Sequence, residues 1–148
     1  MVVIAGCVIV KNNKILMVKE AKKKCYGQWS FPGGHVEENE LITDAAIREV
    51  YEETGCKVKL TGVLPISTVY LKEKETAIMI KFTADIIEEN IKFDTKEILD
   101  VKWIDIDKVK NMKKDELRGY DTVLQDIKNF EDKKIYPLDI FNNKKYIR

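Results

Sequence analysis

One helix-period segment, Leu41 to Thr54, is fenced by glycine on both sides, with Pro32, Gly33 and Gly34 upstream and Gly55 immediately after it. Between it and a second helical pattern near the C-terminus, the apolar runs have the composition of strands. The segment therefore has to form a helix that lies on a sheet. At about 100° per residue, Ala46, Ile47 and Val50 fall in one arc, and Glu49, Glu52 and Glu53 in the arc beside it. The apolar arc is expected to bury, which would hold three carboxylates at the boundary of the core. Polar Asn39 is placed to cap the start, and Gly55 to end the helix in a left-handed conformation.

Short acidic runs are usually solvated faces, and the REVYEETG stretch from Arg48 to Gly55 has to be weighed against that reading. A helix selected for stability alone would interleave lysines, which this chain has in abundance. Here the interleaved cation is an arginine. Arginine occurs only at Arg48, Arg118 and Arg148, and its planar fork orients carboxylates in a way lysine cannot. Arg48 stands four residues before Glu52, a spacing that pairs the two along a helix. Clustered carboxylates relieve their mutual repulsion by binding hard cations such as Mg²⁺ or Mn²⁺. The Pro32-Gly33-Gly34 turn lets backbone approach closely enough for a carbonyl oxygen to join them.

The rest of the chain reads as strands and one more helix. VVIAGCVIV and KILMVKE are separated by Asn12 and Asn13, which tolerate the positive φ of a tight hairpin. QWSF leads as a short strand into the glycine turn. KVKLTGVL, STVYLKE and TAIMIKFTADII follow as strands, the last two turned by the charged KEKE segment, and Ile98 to Ile104 adds another. Tyr120, Leu124, Ile127 and Phe130 recur at helical spacing between about Asp115 and Glu131 and mark core packing. Strands with helices inserted at two places imply a mixed sheet covered on both faces, an α/β/α sandwich in the α/β class. The expected division is a domain over residues 1–135 and a tail over 136–148 packed on it or on a partner.

With 148 residues and a formal net charge of +1, the chain fits one domain and carries no excess charge that advertises nucleic acid or membrane. Cys7, Cys25 and Cys56 show no C-x-x-C spacing, so a disulfide framework is not expected and a cytoplasmic location is.

The segment GHVEENELITDAAIREVYEETGC, Gly34 to Cys56, resembles the Nudix box: Gly, five residues, Glu, seven residues, Arg-Glu, an aliphatic, any residue, Glu-Glu, any residue, Gly, an aliphatic. Gly34, Glu40, Arg48, Glu49, Val50, Glu52, Glu53 and Gly55 match, and Cys56 replaces the last aliphatic residue. Seven fixed positions at average usage give a chance match on the order of 10⁻⁸ per starting point, which removes composition as the explanation. The resemblance extends to the W-x-F-P-G-G segment from Trp29 to Gly34, and to Glu97 ahead of a strand that contains Trp103.

The resemblance implies a Nudix fold and Mg²⁺- or Mn²⁺-dependent hydrolysis of a pyrophosphate bond in a nucleoside diphosphate derivative. A MutT-like nucleoside triphosphate pyrophosphohydrolase is the leading expectation. The alternatives are ADP-ribose, a nucleotide sugar or capped RNA as substrate, or a non-catalytic nucleotide-binding regulatory module. The implied metal ligands are Glu49, Glu52, Glu53 and the Gly34 carbonyl, with Arg48 orienting the carboxylates. Glu49 or Glu97 would be the base, and Glu40 an outer metal contact or an anchor for the loop. Trp29, Phe31, His35 and Tyr70 are candidates for substrate contact. The partner is then a small nucleotide rather than a membrane or nucleic acid, and the chain a monomer or homodimer.

Overall fold

The computed structural model describes residues 1–72 and 74–144. Its strands are β1 (Val2–Val8), β2 (Val10–Lys11), β3 (Lys14–Glu20), β4 (Trp29–Ser30), β5 (Gly33–His35), β6 (Lys57–Val63), β7 (Ser67–Leu71), β8 (Glu75–Glu88) and β9 (Ile98–Asp105). Its helices are α1 (Ile42–Thr54), α2 (Ile106–Lys110) and α3 (Tyr120–Glu131). One sheet runs β5-β1-β8-β6, with β7 also paired to β8. The second runs β2-β3-β4, with β9 on β3. β1 and β8 are parallel and the other pairs antiparallel, so the sheet is mixed. With α1 on β1, β5 and β6, and α3 in a second core, the expected α/β/α arrangement holds.

Two apolar cores divide the molecule. Ala45, Ala46 and Val50 of α1 pack with Ala5, Cys7, Ile80 and Phe82. Val123 and Ile127 of α3 pack with Val8, Met17 and Leu64. Cys56 is sealed in the first core, the small-hydrophobe role expected of it at an aliphatic position.

Several local expectations are met. Asn12 and Asn13 both take positive φ, 51° and 61°, and close a two-residue turn between Lys11 and Lys14. Gly55 ends α1 at φ 79° and donates its N–H to the Tyr51 carbonyl. Others are corrected. The N-terminal apolar run is split: Val2–Val8 lies beside β8, and only Val10–Lys11 pairs with β3. Helix α1 begins after Leu41 with no side-chain cap, because Asn39 is spent on a left-handed loop turn at φ 59°. Ile47 is exposed and Ala45 takes its place in the core. The second long helix starts at Tyr120, since Lys114–Glu116 forms a separate 3-10 turn and Gly119 intervenes at φ 64°. Glu73, in the expected KEKE turn, and residues 145–148 of the expected tail lie outside the described residues.

The tail closes the first core. Tyr136 and Val63 exchange backbone hydrogen bonds at 2.8 and 2.9 Å, and the Phe141 ring lies 5.2 Å from the fully buried ring of Phe82. Phe141→Ala is expected to lower the free energy of unfolding by about 1–2 kcal/mol, the value of a half-buried aromatic, as measured by urea denaturation. An unchanged midpoint would mean that the tail adds nothing to the core.

Candidate functional site

The site is built where α1 crosses the β1–β5 edge. β5 is only Gly33–His35 and is held by antiparallel pairing to β1, Ala5 opposite Gly34 and Gly6 opposite Gly33. Helix α1 lies across it and aims its acidic face at the two glycines. A Cβ on Gly34 would stand 2.5–2.6 Å from the carboxyl group of Glu49, so the missing side chain is what lets Glu49 lie against the strand. Glu53 Oε1 accepts the Gly33 N–H at 2.8 Å. Glu49 and Glu53 thus flank the same two backbone residues.

Arg48 organises the carboxylates. Its Nε donates to Glu40 Oε2 at 2.6 Å and its Nη2 to Glu40 Oε1 at 2.9 Å, a bidentate fork. Nη1 donates to Glu49 Oε1 at 2.8 Å and to Glu52 Oε2 at 3.1 Å, the second being the expected i,i+4 pair. Nη2 also reaches the His35 carbonyl at 3.1 Å. All five guanidinium donors are used. Glu40 also accepts the Glu37 N–H and is held below the usual carboxylate range chiefly by the Arg48 hydrogen bonds, as expected of an anchor for the loop.

Glu53 is the unusual member, only 9% exposed. Burial pushes its pKa up to about 8, against the Gly33 N–H, and the Glu20 and Glu49 charges push the same way. Among the described residues, no three His, Cys, Asp or Glu side chains converge closely enough to hold a metal ion. The donor chemistry nevertheless fits a hard cation. Glu49, Glu52 and Glu53 all offer oxygen donors from one face of α1, and a bound cation would favour the ionised form of Glu53 that burial disfavours.

The other sequence candidates are scattered. Glu97 is exposed, outside the Arg48 network, with its carbonyl accepting the Ala21 N–H at the start of the lysine loop. Trp29 is half-buried beneath the Lys19 ammonium, 5.8 Å from the ring centroid. Phe31 is a core residue, 5% exposed. The His35 imidazole is exposed, and only its carbonyl joins the network. Tyr70 stands 89% exposed on β7. Sequence reasoning missed a second polar cluster: the carboxylate of Glu20, 2% exposed, accepts hydrogen bonds from Ser30 Oγ and Arg118 Nη1, both at 3.3 Å. The scarcity of arginine was the only available signal for it. A cleft of about 270 Å³, lined by Tyr51, Glu52, Gly55, Asn90, Lys92 and Asp94, opens beside Glu52.

An α/β/α fold that presents a bare glycine strand to an Arg-organised acidic helix defines a class of protein built to gather carboxylates at one backbone edge. Comparison with known proteins identifies the class: the NUDIX domain model matches residues 2–126, and the chain belongs to that family. A Nitrosomonas europaea NUDIX hydrolase structure superposes with a TM-score of 0.89 at 28% identity, covering 98% of each chain. The 8-oxo-dGDP phosphatase NUDT18 of Danio rerio is 37% identical over 115 residues, 70% of this chain and 35% of its own length. The ADP-ribose pyrophosphatase of Methanocaldococcus jannaschii is 36% identical over 93 residues, 61% of this chain and 55% of its own length. The chain therefore spans a third to about half of these curated relatives. No helix among the described residues is long and apolar enough to cross a membrane.

The buried Glu53 makes a stability prediction. Its folded pKa of about 8 lies above the ordinary 4.5, so its contribution is fully present below pH 4.5, declines as pH rises, and is lost above about pH 8. Glu53→Gln keeps the acceptor for Gly33 and removes this loss. At pH 7 without divalent metal, the variant is expected to be more stable than wild type by up to about 3 kcal/mol. The gap should close towards pH 4.5 in denaturant titrations, and a pH-independent difference would refute the assignment.

Proposed function

We propose that the protein is a divalent-metal-dependent hydrolase of a pyrophosphate bond in nucleoside diphosphate derivatives, acting as a nucleoside triphosphate pyrophosphohydrolase. The observation that carries the reading is the apposition of Glu49, oriented by Arg48, and Glu53, bonded to the Gly33 N–H, on Gly33–Gly34. The names of relatives support it: besides the two above, the 8-oxo-dGTP diphosphatase of Buchnera aphidicola is 48% identical over 52 residues, 34% of this chain and 40% of its own length. The ADP-ribose pyrophosphatase relative supports ADP-ribose as a second substrate class.

In this mechanism Glu49, Glu52, Glu53 and the Gly34 carbonyl would hold Mg²⁺ or Mn²⁺. When bound, the cation neutralises the diphosphate and acidifies water. Arg48 holds Glu49 and Glu52 through Nη1, limiting the rotamers that each must abandon on closing around a ligand, and its fork on Glu40 fixes the guanidinium to the loop after β5. Gly34 leaves the space in which the Glu49 carboxylate lies. The proton of the attacking water is taken by Glu49 or by Glu97. Glu49 sits inside the carboxylate patch, whereas Glu97 sits on the loop ahead of β9 beside the lysine segment.

Replacing Glu52 and Glu53 together by Gln is expected to reduce kcat/KM for nucleoside triphosphates with Mg²⁺ by at least about 10³-fold, a loss typical of removed charge-stabilising groups. Activity near wild type in a chromatographic product assay would refute the proposed ligands. Gly34→Ala supplies a sharper test, because the nearest atoms its Cβ would meet are those of the Glu49 carboxyl group, at the far end of that side chain. Folding stability is expected to stay within about 1 kcal/mol, while activity falls at least tenfold as Glu49 is displaced. Equal activity would mean that the position of Glu49 does not matter.

A further inference from the structure

Among the described residues the arginines are Arg48 and Arg118, and they are used in opposite ways. Arg48 has no donor left for a ligand, because all five are spent on Glu40, Glu49, Glu52 and the His35 carbonyl. From the Arg118 guanidinium a single hydrogen bond runs, Nη1 to Glu20 Oε2 at 3.3 Å, and 48% of the side chain is exposed. Its Nε and Nη2, the two donors on one edge of the fork, have no partner among the described residues.

Arg118 is nevertheless fixed at both ends. Its backbone N–H donates to the Trp29 carbonyl at 2.9 Å, a parallel bridge joins Leu117 to Trp29, and Gln28 Nε2 donates to the Asp115 carbonyl at 3.1 Å. The stretch ahead of α3 is thus zipped to β4. At the other end, Glu20 is 2% exposed and is itself fastened by Ser30 Oγ at 3.3 Å and the Cys25 thiol at 3.6 Å. A pair made only to neutralise Glu20 would set the fork against both carboxylate oxygens. Here one oxygen is given to Ser30, and the fork stays open.

The same contacts set Arg118 at the rim of the carboxylate patch. Ser30 stands three residues before Gly33, at most about 11 Å along the chain, and the Gly33 N–H is bonded to Glu53 at 2.8 Å. Ala21, next to Glu20, donates its N–H to the Glu97 carbonyl at 3.1 Å. Glu20 therefore joins the strand under the patch to the loop of Glu97. Lys22, Lys23 and Lys24, exposed and without an ion pair among the described residues, lie on the loop that Cys25 ties to the same carboxylate. This rim is cationic where the patch beside it is acidic.

We propose that Arg118 is a substrate-binding residue whose Nε and Nη2 take two oxygens of a phosphate beyond those at the metal ligands. This rests on the proposed function, which puts the pyrophosphate bond at the acidic patch. Glu37, Glu40, Glu49 and Glu52 outnumber Arg48 there, so a phosphate that no cation covers is repelled. A planar fork with two adjacent donors free matches two oxygens of one phosphate. Anchoring by a sealed carboxylate holds that fork in place before the ligand arrives.

The test is calorimetric titration of inorganic tripolyphosphate with Mg²⁺ into the wild-type protein, Arg118→Ala and the double variant Glu20→Gln/Arg118→Ala. Urea denaturation confirms that each folds, and the double variant removes the unpaired buried carboxylate that the single substitution leaves. Both variants are expected to bind at least tenfold more weakly than wild type, and to lose at least tenfold in kcat/KM for GTP. If Arg118 only neutralises Glu20, the double variant regains wild-type affinity and activity, and the inference is overturned. Unchanged affinity in Arg118→Ala, or no binding by the wild type, overturns it as well. A wild type that hydrolyses no nucleoside triphosphate refutes the proposed function separately, and tripolyphosphate binding that depends on Arg118 still sustains the inference.

Discussion

The guanidinium of Arg48 is the interaction on which the rest of the site depends. Four glutamates surround it, with Glu40, Glu49 and Glu52 hydrogen-bonded and Glu37 at 3.8 Å. One cation does not neutralise them, but a planar fork with every donor engaged imposes a geometry that a lysine would leave free. The same residue binds the loop to the helix through Glu40 and the His35 carbonyl. Carboxylate orientation and the docking of α1 on β5 are therefore one constraint.

That constraint leaves Glu53 outside it. Glu53 lies one turn beyond Glu49 and is turned inward to the Gly33 N–H, where burial favours its protonated form. A carboxyl group placed this way costs stability at neutral pH, as groups arranged for chemistry rather than packing do. A second buried carboxylate, Glu20, acts on Glu53 through its charge and is paired with Arg118 at 3.3 Å. The molecule thus carries a carboxylate face organised by Arg48 and, apart from it, a buried carboxylate at Glu20 paired with Arg118.

Legibility in the sequence followed how local each cause was. The Asn12-Asn13 turn, the Gly55 stop, the strand runs and the Arg48–Glu52 pair are set by residues within a turn of one another, and they read correctly. β5 did not, because two glycines and a histidine have no strand preference, and their conformation comes from pairing with β1. Ile47 was placed inward and Ala45 overlooked because the two arcs of α1 differ by one rotation step, and only the close approach of β1, β5 and β6 chooses between them. Asn39 has the composition of a cap, yet the loop that brings Glu40 to Arg48 used it for a left-handed turn.

By itself the sequence determined that a pair of glycines, an acidic helix and a single arginine would be neighbours, since their spacing lies within one strand-loop-helix unit and survives any arrangement of the rest; that the glycines form strand β5 and not a turn came from the fold. It also determined family membership, carried by the same spacing. Only the tertiary structure decided which glutamate would be buried, which aromatic rings would be spent on the core, and that Glu20 and Arg118 would pair. Those two residues are far apart in the chain, and they meet through sheet order and helix docking, which depend on how all the apolar faces are satisfied together.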